Sequence, residues 1–142
     1  MSTRILIPVD GSAHALRAVE HALQLAKLNP ALELHLLNVQ IPVESGHVRL
    51  FVGHDQLEDY YREEGLAALQ AAAALLQQAG QPYQQHIAVG HIADTITRYA
   101  QEMAFSQIII GSHGRSGLGQ LLLGSVATDV VHQSAVPVTV IK

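Results

Sequence analysis

The chain contains no cysteine. Disulfide bonds and thiol catalysis are therefore excluded, and a reducing compartment, the cytoplasm, is the expected location. No apolar run approaches the roughly 18 residues needed to cross a bilayer. Even the Ala-rich stretch 66–79 is broken by Gln70, Gln77 and Gln78. No secretory leader is read at the start, where Ser2, Thr3 and Arg4 lead into a short apolar run that ends at Asp10. Positive charge is sparse: eight Lys and Arg against twelve Asp and Glu, a net charge of −4 with histidine neutral. A nucleic-acid groove needs clustered cations, so neither a nucleic acid nor a membrane is expected as a partner. What the chain has instead is enough apolar sequence in its 142 residues for one domain, residues 1–142, with a core that needs no staple.

Short apolar runs alternate with helical periods. Residues 5–9 and 34–39 read as strands. Between them Ala15, Leu16, Val19, Ala22, Leu23 and Ala26 recur at helical spacing, with Ser12 placed to cap and His14, Arg17, His21 and Gln24 on the opposite face. Residues 40–54 are irregular, with Pro42, Gly46 and Gly53 as breakers. A long helix is expected over 56–79, ended by Gly80 and Pro82. Then follow a strand over 83–89, a helix over 92–103, a strand over 105–110, a helix over 125–133 and a strand over 136–141.

This alternation predicts an α/β fold with a five-stranded parallel sheet and helices on both faces. The apolar runs 5–9 and 108–110 belong in its centre. Pro137 removes a ladder donor from the last strand and marks it as an edge. The strand order 3-2-1-4-5, Rossmann-like, satisfies these constraints. The first and fourth strands then lie side by side where the winding reverses, and ligands of such folds bind beyond the strand ends there. Asp10 leaves the first strand at that point and Gly111 leaves the fourth.

The segment Gly111-Ser112-His113-Gly114-Arg115-Ser116-Gly117-Leu118-Gly119 is the richest in the chain, and Gly124-Ser125-Val126 follows it. Glycines let backbone approach a ligand closely, and a helix opening at Gly124 offers free N–H groups and the positive end of its dipole. Two such clusters make a cradle of amides for phosphates. Ser125 is placed to cap that helix and to donate to a phosphate oxygen. No Lys-Ser or Lys-Thr pair makes this a Walker loop, and the spacing after Gly117-x-Gly119 is not that of a dinucleotide fingerprint.

The pattern Gly-x2-Gly-x9-Gly-Ser, followed by a helix and a Pro-Val-x-Val strand, together with the opening Ile-Leu-Ile-Pro-Val-Asp-Gly-Ser, resembles the universal stress protein family over essentially the whole chain. The glycine spacing is that of the family's ATP-binding branch, a nucleotide-dependent stress-response or signalling module. The resemblance implies that Pro8, Val9 and Asp10 line adenine and ribose, with Asp10 accepting from the ribose hydroxyls. Val39 would read adenine through its backbone. Ile110, Gly111, His113, Gly114 and Arg115 form the first glycine cluster, and Gly124, Ser125 and Val126 the phosphate-contacting helix start. Ala127 stands where some members carry a hydroxyl residue. Mg or Mn would enter through the phosphates, and the protein would be a homodimer. The alternative is a dimer of the same fold that binds no nucleotide and serves structural interactions.

Rival chemistries are weaker. A receiver-like phosphoacceptor role for Asp10 needs an aspartate after the third strand, which ends Val89-Gly90-His91. Ser112 or Ser116 beside His113 is no hydrolase motif, because no Gly-x-Ser-x-Gly elbow is present. No residue is assigned to catalysis. Arg115 is the only cation of the loop, so ATP hydrolysis is at most weak. Of the other histidines, His14 and His21 are expected in solvent. His47 and His54 lie in an unassigned loop, and His86, His91 and His132 lack partners at ligand spacing, so no dedicated metal site is expected. In the last strand Val136, Val138 and Val140 face one way and Pro137, Thr139 and Ile141 the other. Its open edge invites antiparallel pairing with a second copy across a two-fold axis.

Overall fold

A computed structural model describes residues 3–43, 53–114 and 123–142. Arg115, Ser116, Gly117, Gly119 and His47 lie outside the described residues, as does the side chain of His54. The elements are β1 (Thr3–Pro8), α1 (Ala13–Leu28), β2 (Leu32–Gln40), α2 (His54–Gln78), β3 (Tyr83–Val89), α3 (Ile92–Glu102), β4 (Gln107–Gly111), α4 (Ser125–Gln133) and β5 (Val138–Ile141). They form one five-stranded sheet in the order β3-β2-β1-β4-β5, every pair parallel. The expected topology is the observed one.

Two cores sandwich the sheet. On one face α1 and α2 cover Ile5, Ile7, Leu34, Leu36 and Ile109. On the other, α3 and α4 cover Leu6, Leu37, Ile108 and Ile110. Consecutive residues of β1 and β4 thus go to opposite cores, which is why these strands are apolar throughout. Each such side chain, fully buried, contributes about 1.5–3 kcal/mol.

Helix ends follow local chemistry. Ser12 caps α1, its hydroxyl accepting from Ala15 N–H at 3.2 Å. α2 ends with Gly80 at φ 68°, Gln81 N–H reaching back to Leu76 O and Gly80 N–H to Gln77 O. α3 ends with the same pair of bonds, Phe105 N–H to Ala100 O and Ala104 N–H to Gln101 O, but with an alanine at φ 55°. Phe105 is spent in that closure, so β4 begins at Gln107 rather than at 105. Similarly, the Ser134 hydroxyl accepts from Val136 N–H and donates to Val136 O. That turn delays the last strand to Val138, two residues later than expected.

Candidate functional site

β1 and β4 are neighbours only at Ile5↔Gln107 and Leu6↔Ile108. Paired rungs stop short of Pro8 and Gly111, and a cleft of about 820 Å³ opens beyond them. Eleven of the twelve expected site residues line it: Pro8, Val9 and Asp10 from the end of β1, Val39 from β2, Ile110, Gly111, His113 and Gly114 from β4 and its loop, and Gly124, Ser125 and Val126 at the start of α4. Arg115 lies outside the described residues. A volume of this size is usual for a small-molecule site.

The walls are set by backbone approach. A Cβ on Gly111 would lie 2.7 Å from the carbonyl carbon of His14, so only glycine lets β4 end against the first turn of α1. A Cβ on Gly114 would lie 2.5 Å from Asp10 Oδ2, so the loop after β4 closes onto the carboxylate that leaves β1. Asp10 Oδ1 accepts from Ser12 N–H at 2.9 Å, which fixes the carboxylate beside the start of α1. Gly124 N–H donates to Ser112 O at 2.7 Å, and Ser112 N–H donates to Ile141 O at 2.7 Å. These two bonds seat the start of α4 next to the end of β4.

The cap of α4 is Gly124, whose place gives no side-chain bond to the helix. Ser125 is the first helical residue and does not cap, contrary to expectation. The consequence favours a ligand: among the described residues no side chain caps the opening amides of α4, which carry the positive end of the helix dipole.

His113 leans on two groups. Its Nδ1 lies 3.0 Å from Ser112 Oγ, and its ring centroid lies 5.3 Å from that of His14. His14 is accordingly half-buried rather than solvated, a correction to the reading of its helix face. Ser112 and His113 do meet, but Ser112 is only 1% exposed. A buried hydroxyl that holds an imidazole orients the ring and is closed to substrate.

Sequence reasoning passed over two polar features. Asn38, 3% exposed, donates from Nδ2 to Val9 O at 2.8 Å and accepts at Oδ1 from Gln40 Nε2 at 2.7 Å. An Asn inside the run Leu36-Leu37-Asn38-Val39 was the available signal. The second lies at the opposite end of the sheet. His35 Nδ1 and His86 Nε2 are 3.0 Å apart with their rings nearly coplanar, so His86 is paired with a ring 51 positions away. His35 Nε2 faces Glu33 Oε1 at 3.6 Å. Arg4 stacks over Phe105 and bonds the Met103 carbonyl. Burial, and then the Arg4 charge, hold both histidines below their ordinary pKa. No periodicity announces this pair, because β2–β3 register decides it.

The chain has clear relatives. The model of the universal stress protein family matches residues 1–142. Universal stress protein YxiE of Bacillus subtilis is 31% identical over 149 residues, with 100% of each chain covered. The solved structure of MJ0577 from Methanocaldococcus jannaschii, also a universal stress protein, superposes with a TM-score of 0.83 at 32% identity, covering 100% of this chain and 96% of that one. A universal stress protein solved in complex with cAMP superposes with a TM-score of 0.72 at 25% identity, covering 99% and 97%. Order, sheet topology, glycine spacing and these matches agree, and the chain belongs to the universal stress protein family.

Proposed function

We propose that this protein binds ATP in the cleft between the ends of β1 and β4 and works as a nucleotide-dependent stress-response or signalling module in the cytoplasm. One observation carries the reading. Gly114 closes on Asp10 while Gly124 sets an uncapped helix start on the facing wall, so a carboxylate and a cradle of amides share one cleft. The carboxylate suits ribose hydroxyls and the amides suit phosphates. A family member solved with cAMP adds support for an adenine nucleotide. Magnesium or manganese would come with the phosphates and neutralise their charge. The described residues of the cleft are binding groups, and on this reading turnover of ATP is slow at most.

Calorimetric titration with ATP and Mg²⁺ tests this, alongside identification of any nucleotide released when the purified protein is denatured. Replacing Gly124 with valine is a poor control, since a Cβ there would press on Ser112 O at 3.2 Å and His113 Cα at 3.3 Å. Ser125→Glu is the cleaner variant. The side chain is exposed, and an acid in the first turn suits the helix dipole while repelling phosphates. Loss of ATP binding in the folded variant is expected. A folded wild type that ignores ATP returns the protein to the interaction-dimer alternative.

Dimerisation through β5 belongs to the same proposal. Ile108 N–H donates to Pro137 O, so Pro137, Thr139 and Ile141 turn their backbone to β4, while Val138 and Val140 turn theirs to the open edge. The N–H that Pro137 lacks is therefore not one a partner would need. Val140→Pro removes an outward donor and leaves the β4 ladder whole. Sedimentation velocity should show a wild-type dimer and a monomeric variant.

A further inference from the structure

The ladder between β1 and β2 breaks at one rung. Thr3 N–H donates to Ala31 O at one end, and Val9 N–H donates to Leu37 O at 2.8 Å at the other. Odd residues of β2 therefore turn their backbone groups to β1, while Gln40 turns its carbonyl to Gly90 N–H on the β3 side. A continuing parallel ladder would next bond Val39 N–H to Val9 O. Among the described residues that bond is not made. The Asn38 side chain occupies the Val9 carbonyl instead, at 2.8 Å.

The direction of this contact is fixed, because a carbonyl only accepts. Asn38 must present its NH₂ to Val9, which leaves Oδ1 for Gln40 Nε2. Both ends of a side chain that is only 3% exposed are thereby bonded. A buried amide with either end unpaired would be costly.

We propose that Asn38 is a positioning residue for base recognition, a role that rests on the nucleotide reading above: by holding the Val9 carbonyl it keeps Val39 N–H out of the sheet and aims it into the cleft. Val39 then offers one donor and one acceptor on the side that β1 has left, next to the Val39 and Gln40 side chains that also line the cleft. Adenine's Watson–Crick edge supplies their complements, the N1 acceptor and the N6 donor. Gln40 steadies Asn38 from the rim, where it is half-buried.

Two measurements separate this role from plain structural support. Amide hydrogen exchange by NMR reads Val39 directly. In the nucleotide-free wild type its N–H should exchange fast, and ATP should slow it. In Asn38→Ala the Val9 carbonyl is released, and the Val39 amide should be protected before any nucleotide is added. Titrations with ATP and with inorganic tripolyphosphate give the second readout. Asn38→Ala should lose about tenfold in ATP affinity, the worth of one hydrogen bond to the base, and keep its tripolyphosphate affinity. Equal losses for both ligands, an unchanged ATP affinity, or a Val39 amide already protected in the nucleotide-free wild type would overturn the assignment. If Asn38→Ala does not fold, Gln40→Ala loosens Asn38 from the half-buried rim. ATP should then weaken about threefold with tripolyphosphate unaffected, and no change would count equally against the role. A wild type that binds neither ligand overturns the nucleotide reading itself, and amide exchange in the nucleotide-free protein then judges Asn38 separately.

Discussion

The two ends of the sheet treat polar groups in opposite ways. At the carboxyl end, glycines and an uncapped helix leave backbone amides facing a cleft, and Asn38 holds the one carbonyl that would draw Val39 back into the ladder. At the amino end, His35 and His86 bond each other under α3, Glu33 Oε1 stands 3.6 Å from His35 Nε2, and Arg4 bonds the Met103 carbonyl. One end turns hydrogen-bonding groups toward an open cleft, and the other turns most of them toward groups of the fold itself. The same strands build both, so the difference lies in where the chain departs from the ladder.

The largest expected effect breaks the first end. Gly111→Val places a side chain where a Cβ already meets α1 backbone at 2.7–2.9 Å. Neither helix nor strand can yield cheaply, and destabilisation of about 3 kcal/mol is expected, read as a fall in the urea midpoint. An unchanged midpoint would show that the cleft tolerates a wider seam than its packing implies.

Acid distinguishes the second end. The ordinary histidine value is 6.5, and both His35 and His86 lie below it because of burial and then Arg4. His86 Nε2–H donating to His35 Nδ1 leaves His35 Nε2–H toward Glu33, the tautomer that points no lone pair at the carboxylate. Arg4, Glu33 and Tyr99 are the charged or titratable neighbours on β1, β2 and α3, while Asp94, Arg98 and Glu102 of α3 are exposed. The unfolded chain binds protons below about pH 6.5 that the folded chain declines. Stability is therefore complete above that pH and falls as pH drops through it toward the folded values. Each withheld proton lowers the folded-to-unfolded ratio by up to about tenfold per pH unit, about 100-fold for the two. His86→Gln keeps a donor for His35 and should halve the slope of stability against pH between 6.5 and 5.5. An identical slope in the variant would assign acid sensitivity elsewhere.

The smallest effect sharpens the comparison. Ala104 sits at φ 55° in the turn that delivers Phe105 to His35. Ala104→Gly removes that backbone strain and should stabilise by up to about 1 kcal/mol, with ATP affinity unchanged. Thermal unfolding with and without ATP checks both halves. A change in affinity would mean that the two ends are coupled through β4.

The strand order was legible because it follows from local facts. Ile5, Leu6 and Ile7 alternate between two cores, and short connections between alternating elements leave few topologies. The glycine spacing likewise placed the cleft, because only glycine admits backbone as close as His14 comes to Gly111. Three things were not local. The cap of α4 moved from Ser125 to Gly124 because the Ser112 carbonyl claims the Gly124 amide. Phe105 left β4 because closing α3 needs its N–H. The pairs His35–His86 and Asn38–Val9 join residues 51 and 29 positions apart, and strand register decides such partnerships. A sequence states which groups need hydrogen bonds; which distant group provides each one is settled only when the strands have docked.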